Sequence, residues 1–189
     1  SRVLVVGAGG LGAPGARYLA AAGIGTIGIV DPDTVSLSNL QRQVMHGTPA
    51  IGTPKADSAR RAMQRINPEV RVETHPVFLD PDNAPDIIGE YGMVVDCTDN
   101  MAARLVIDDT CRALGKPYVY GAVRRIGGQI FTHLPGTMGY RDIFSPDPSV
   151  PVDELPCAVD GVLNTVVGVI GTLQATIKTS SSQPPIPAG

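Results

Sequence analysis

No stretch of this 189-residue sequence gathers lysine and arginine into a basic arm, and the formal net charge is only −3. A surface so close to neutral argues against direct binding to nucleic acid or to a membrane, which favour strongly basic partners. No apolar run reaches the ~20 residues that cross a bilayer as a helix. Nor does the chain open on a charged-then-apolar leader, because it starts directly in a strand-like run, Arg2 to Val6. Cysteine is scarce too: Cys97, Cys111 and Cys157 are odd in number and lack paired spacing. That usage suits a reducing cytoplasm rather than a disulfide framework. Three cysteines cannot form a four-cysteine tetrahedral site in one chain.

What the chain does hold is a 43% share of hydrophobic residues, enough for one globular domain with its own core. Both ends read as cut, since a domain rarely begins inside its first core strand. The expectation is a single domain over residues 1–178 followed by a Ser- and Pro-containing, linker-like tail over 179–189. Apolar strand-like runs alternate with helical patterns, the pattern of a Rossmann-like, doubly wound, mainly parallel α/β sheet. The run Val3–Val6 has no polar alternation, as expected of a strand buried on both faces. A helix should follow from Gly12, with Pro14 in its first turn, and stop at Gly23.

Further elements follow the same logic. Thr26–Val30 reads as a strand ending at Asp31. Lys55–Ile66 reads as a helix with Ala56, Ala59, Met63 and Ile66 on one face, ended by Asn67-Pro68. Val70, Val72 and the stretch His75–Val77 supply a third strand, and Met93–Val95 a short buried one ending at Asp96. Asn100 caps the next helix, which Gly115 and Pro117 close. Tyr118–Val123 and Gln129–Leu134, separated by Gly127-Gly128, form an added antiparallel segment in the C-terminal half. Residues 136–156 are rich in Pro and Asp and read as loop. A last apolar helix is expected from Val162 to Lys178.

Three motifs carry chemistry. Gly7-Ala8-Gly9-Gly10-Leu11-Gly12 matches G-x-G-x-x-G between a strand and a helix, where Gly7, Gly9, Gly10 and Gly12 permit a tight turn and close approach of phosphate to backbone N–H groups. Asp31, at the end of the second strand, stands where a carboxylate can accept from ribose hydroxyls. This much fits NAD, FAD or ATP. The second motif is Ser36-Leu37-Ser38-Asn39-Leu40-Gln41-Arg42-Gln43, followed by Gly52-Thr53-Pro54-Lys55. Arg42 and Lys55 can stabilise the charge that develops as pyrophosphate leaves, which a dehydrogenase has no need to do. The third is Asp96-Cys97-Thr98-Asp99-Asn100 at the C-terminal end of a buried strand, where ligands of open α/β sheets bind. Asp99 is the expected Mg²⁺ ligand, because Mg²⁺ takes one or two carboxylates plus phosphate oxygens. Asp96 reads as structural, and Asn100 as either a cap or a nucleotide contact.

In this order and spacing the motifs resemble the ThiF/MoeB and ubiquitin-activating-enzyme-like superfamily, over essentially Ser1 to Ala175. The resemblance implies an adenylyltransferase that uses ATP and Mg²⁺ to activate the C-terminal glycine of a ubiquitin-like sulfur-carrier protein ending in Gly-Gly. Its ATP-site positions would be Gly10, Asp31, Ser38, Asn39, Leu40, Gln41, Arg42, Lys55, Asp99 and Asn100. Arg42, Lys55 and Asp99 would be catalytic. Cys157, ahead of the last helix in the 136–157 crossover loop, matches a cysteine that some relatives use to hold the activated carrier or its sulfur, supplied by a persulfide or rhodanese-type donor. Homodimerisation and a cytoplasmic location are also implied.

Relatives with structural zinc hold it on two C-x-x-C pairs. Gly139-Tyr140-Arg141-Asp142 replaces the first pair here, as in zinc-less members, so the resemblance implies no zinc. The family's N-terminal helix and C-terminal strands lie outside the sequence given. Competing readings are an NAD-dependent oxidoreductase, an ATP-dependent tRNA-base dehydratase of the same superfamily, and a non-catalytic scaffold.

Overall fold

Runs of β-branched and aliphatic residues fix the strands, and the glycine, proline and aspartate between them set the turns. The computed structural model describes residues 1–144 and 161–180, with the side chains of 178–180 left aside. Along these residues run β1 (Arg2–Val6), α1 (Gly12–Ala21), β2 (Thr26–Val30), α2 (Lys55–Ile66), β3 (Arg71–His75), α3 (Ala84–Gly89) and β4 (Met93–Asp96). Then come α4 (Met101–Ala113), β5 (Tyr118–Arg124), β6 (Gly127–His133), α5 (Tyr140–Phe144) and α6 (Asn164–Ser180).

The six strands form one sheet in the order β3-β2-β1-β4-β5-β6. The first five are parallel neighbours, and β6 adds antiparallel to β5. The order reverses beside β1, so the loops after β1 and β4 open a crevice at the sheet's C-terminal edge. Helices α1, α2 and α6 cover one face over Val3, Val5, Ile27 and Ile29, while α3, α4 and α5 cover the other over Leu4, Val6, Val94 and Tyr118. Fully burying each Leu or Ile of this kind contributes roughly 1.5–3 kcal/mol.

The last helix is fastened to the sheet by one buried amide. Gln174 Nε2 donates to the Asp96 carbonyl at 2.6 Å and to the Val119 carbonyl at 3.3 Å. Its Oε1 accepts from Cys97 Sγ at 3.6 Å. Gly121 makes room for it, because a Cβ there would lie 2.5 Å from Gln174 Cδ. On the opposite face Tyr91 lies over Gly28, its hydroxyl donating to Glu73 and accepting from His75 Nε2.

Several boundaries differ from expectation. The β5–β6 turn falls at Arg125-Ile126, not at Gly127-Gly128, and Arg125 takes the left-handed region with φ 54°. Those glycines begin β6 instead, where a Cβ on Gly128 would press on Ile170 of α6. The third strand spans Arg71–His75 rather than reaching Val77. Helix α3 has no counterpart in the sequence reading; it is short, with Pro85 in its first turn.

Residues 136–156 are not loop throughout. Tyr140–Phe144 is helical, because Tyr140 and Phe144 stack on Tyr120 and on each other at 5.0–5.6 Å. The last helix begins at Asn164 and reaches Ser180, two residues later at each end than expected.

Candidate nucleotide site

A cavity of about 770 Å³ lies at the C-terminal edge of the sheet, between the ends of β1, β2 and β4. The glycine turn forms its floor. Gly7 has φ 97°, and a Cβ there would sit 2.7 Å from the Cys97 carbonyl, so only glycine fits between β1 and β4. Gly10 lies under Val167 of α6, whose Cγ1 would be 2.6 Å from an added Cβ, and the Arg42 stem runs beside it. The turn is also held from beneath. Gly7 N donates to the Val30 carbonyl and Ala8 N to Asp31 Oδ2, both at 2.8 Å.

Asp31 is 5% exposed, and its other oxygen accepts from Asp33 N at 2.9 Å. Burial raises its pKa, opposed by those backbone hydrogen bonds and by the charge of Lys55. Both oxygens therefore serve the fold of the turn. The carboxylate that faces the cavity from this strand end belongs to Asp33, which receives Lys55 Nζ at 2.7 Å. A D-x-D spacing after the strand was the available signal for it.

Beneath the turn, His46 Nε2 lies 3.0 Å from the Ala8 carbonyl and Nδ1 lies 2.9 Å from Ser58 Oγ. A carbonyl only accepts, so Nε2 carries the proton and Nδ1 accepts from serine. Burial is the main reason its pKa is lowered.

Of the residues expected at the site, Gly7, Gly9, Gly10, Ser38, Gln41, Arg42, Lys55, Asp99 and Asn100 line the cavity together. Gly12, Asp31, Asn39 and Leu40 are not among its lining residues. Gly12 is buried where α1 begins. Asn39 closes a capping box with Ser36 over the short 3₁₀ turn Leu37–Asn39. Arg42 donates to the Ser38 carbonyl at 3.4 Å. Asn100 Oδ1 accepts from Ala103 N at 2.9 Å and so caps α4.

Asp96 is fully buried and accepts from Thr98 N and Oγ1 at 3.0 and 2.7 Å; burial pushes its pKa up to about 6. Asp99 is exposed, and its carboxylate has no hydrogen bond or ion pair among the described residues. One free carboxylate beside the glycine turn is a donor that Mg²⁺, which keeps waters and takes one or two carboxylates, can use. Among the described residues no group of three or more His, Cys, Asp and Glu gathers as a closed metal cage. Cys97 and Cys111 are buried, and burial raises both thiols. Cys157 lies outside the described residues.

The sequence reading missed an apolar wall and a cation. Val77, Phe78 and Leu79, after β3, form one side of the cavity with Ala103 and Val106 of α4. Arg104, also on α4, lines it near Thr98. No helix of the described residues is long and apolar enough to cross a membrane.

The ThiF family model matches residues 1–183. The chain is 46% identical over 181 residues to a protein of Mycobacterium tuberculosis named as a probable adenylyltransferase/sulfurtransferase, MoeZ, covering 93% of this chain and 46% of that one. It is 44% identical over 178 residues to the SAMP-activating enzyme E1 of Haloferax volcanii, covering 93% and 65%. It thus spans about half to two thirds of the length of these relatives. Among solved structures, E. coli MccB with ATP superposes with a TM-score of 0.80 at 21% identity, over 95% of this chain and 55% of MccB, a likeness of fold.

Proposed function

The chain belongs to the ThiF family, and from that premise we propose that it adenylates the C-terminal glycine carboxylate of a ubiquitin-like sulfur carrier, using ATP. One observation carries the reading: Gly10, Arg42, Lys55 and Asp99 line a single cavity on the glycine turn. A nicotinamide site would leave the two cations and the free carboxylate without a task.

The nucleophile is a terminal carboxylate with an ordinary pKa of ~3.3–3.7, so it arrives ionised and needs no general base. The obstacle is repulsion between anions, met by positioning and charge neutralisation. A carboxylate oxygen bonds to the α-phosphorus, the bond to the bridging oxygen breaks, and pyrophosphate departs with the electron pair. Arg42 and Lys55 hold the polyphosphate, with Asp33 keeping the Lys55 ammonium in place. Asp99 would hold Mg²⁺, whose role is to offset the phosphate charge. The apolar wall of Val77, Phe78 and Leu79 suits a purine face.

The sulfur step belongs to the same reading. Cys157 would hold the activated carrier or its sulfur, a persulfide or rhodanese-type protein would donate sulfur, and the active form would be a cytoplasmic homodimer.

ATP–pyrophosphate exchange in the presence of a Gly-Gly-ended carrier tests the proposal. Asp99→Ala and Arg42→Ala should each lower exchange at least 100-fold with the fold intact. Exchange at the wild-type rate in either variant removes that residue from the chemistry.

A further inference from the structure

Arg104 differs from the other cations of the cavity. It rises from α4 toward Tyr120 of β5, while Arg42 stands beside Gly10 and Lys55 pairs with Asp33. Its Nη2 donates to the Thr98 carbonyl at 3.0 Å, and its guanidinium carbon lies 5.3 Å from the centre of the Tyr120 ring. The Tyr140 hydroxyl lies beside it. Its Nε is buried without a hydrogen-bond partner. Among the described residues no carboxylate comes within ion-pairing distance of it. The acid whose field it feels, Asp96, is fully buried and already accepts twice from Thr98. A largely desolvated guanidinium with donors to spare is costly unless an anion completes it.

The surroundings indicate which anion. The cavity is also lined by Val123 of β5, by Gly161 and Val162, and by Val167 of α6, which lies over Gly10 beside the Arg42 stem. Arg42 stands beside Gly10 and Lys55 is held by Asp33, two cations to meet a polyphosphate, which leaves Arg104 to meet the other anion of the reaction, the acyl carboxylate. We propose that Arg104 is the carboxylate-binding residue of the acyl substrate, gripping one oxygen of a terminal glycine carboxylate and leaving the other free to attack phosphorus. The Thr98 carbonyl and the Tyr120 ring pre-orient the fork, so little side-chain entropy is lost on binding. This rests on the adenylation reading and assigns that reaction a residue the sequence motifs do not contain.

The test uses N-acetyl-glycylglycine and its C-terminal amide as probes, titrated by NMR into the protein saturated with a non-hydrolysable ATP analogue. The wild type should prefer the acid at least 10-fold, Arg104→Met should bind both alike, and Arg104→Lys should keep part of the preference. Analogue affinity should change by less than about threefold. No acid preference in the wild type, or an undiminished one in Arg104→Met, overturns the proposal. So does a tenfold loss of analogue affinity with the acid preference intact, which would make Arg104 a nucleotide ligand. Should Arg104→Met fail to fold, Arg104→Lys decides by the same comparison. Failure of every Gly-Gly carrier to support pyrophosphate exchange, with the acid preference present, would sink the adenylation reading and leave the carboxylate site standing.

Discussion

Replacing Gly121 by alanine should unlatch the last helix, and the loss can be worked from the atoms around it. The new methyl would sit 2.5–2.6 Å from Gln174 Cδ, Nε2 and Oε1, too close for any of them to stay. Gln174 is fully buried, so it cannot swing into solvent; it has to give up its bonds to the Asp96 and Val119 carbonyls. At about 1 kcal/mol net for each hydrogen bond, Gly121→Ala should cost about 2 kcal/mol. For a domain of this size that is a fall of roughly 4–8 °C in Tm. Gln174→Ala loses the same bonds and also some packing, about 3 kcal/mol in all. In the double variant the methyl occupies space the glutamine has left, so the pair should again cost about 3 kcal/mol rather than the sum of about 5, a coupling of about 2 kcal/mol. Urea unfolding of the four proteins measures this directly. Additive losses within about 0.5 kcal/mol would refute the latch.

Two further outcomes follow from the buried networks. Gly28→Ala drives a methyl into the Tyr91 ring and to 2.7 Å from Leu4 Cδ1; since Tyr91 is pinned by Glu73 and His75, urea unfolding should register a loss of at least about 3 kcal/mol. The folded-state pKa of His46 is lowered chiefly by burial, so its neutral form is favoured by the fold. The stability this gives is present above the unfolded value of about 6.5 and is lost as pH falls below it, by at most about 1.4 kcal/mol per pH unit. His46→Gln lacks that titration, so the stability gap between it and the wild type should shrink from pH 7 to pH 5. A gap that stays constant would place the histidine outside this linkage.

The parallel half of the fold is readable because its strands are buried on both faces and bounded by residues that break them. Val3–Val6, Thr26–Val30 and Lys55–Ile66 each follow from local pattern alone. The hairpin is different. Gly127-Gly128 looks like a turn, yet Gly128 is demanded by Ile170, more than forty positions away in the chain. Helix α5 likewise depends on aromatic stacking against Tyr120, which no window around Tyr140 contains. At the site, motif glycines and cations were legible because phosphate chemistry restricts residue type. Asp33 and Arg104 were not, since which of two neighbouring carboxylates turns inward, and which arginine of a helix meets the cavity, are settled by tertiary packing.

The bonds beneath the glycine turn decide which of its amides an anion can use. Gly7 N and Ala8 N are directed at Val30 and Asp31, and the Ala8 carbonyl is taken by His46. The front of the turn is thereby committed inward, so a phosphate seated on it would be met by N–H groups from Gly9 onward. The bonds beneath would then hold those donors in order beforehand, so that seating the anion would cost little chain entropy.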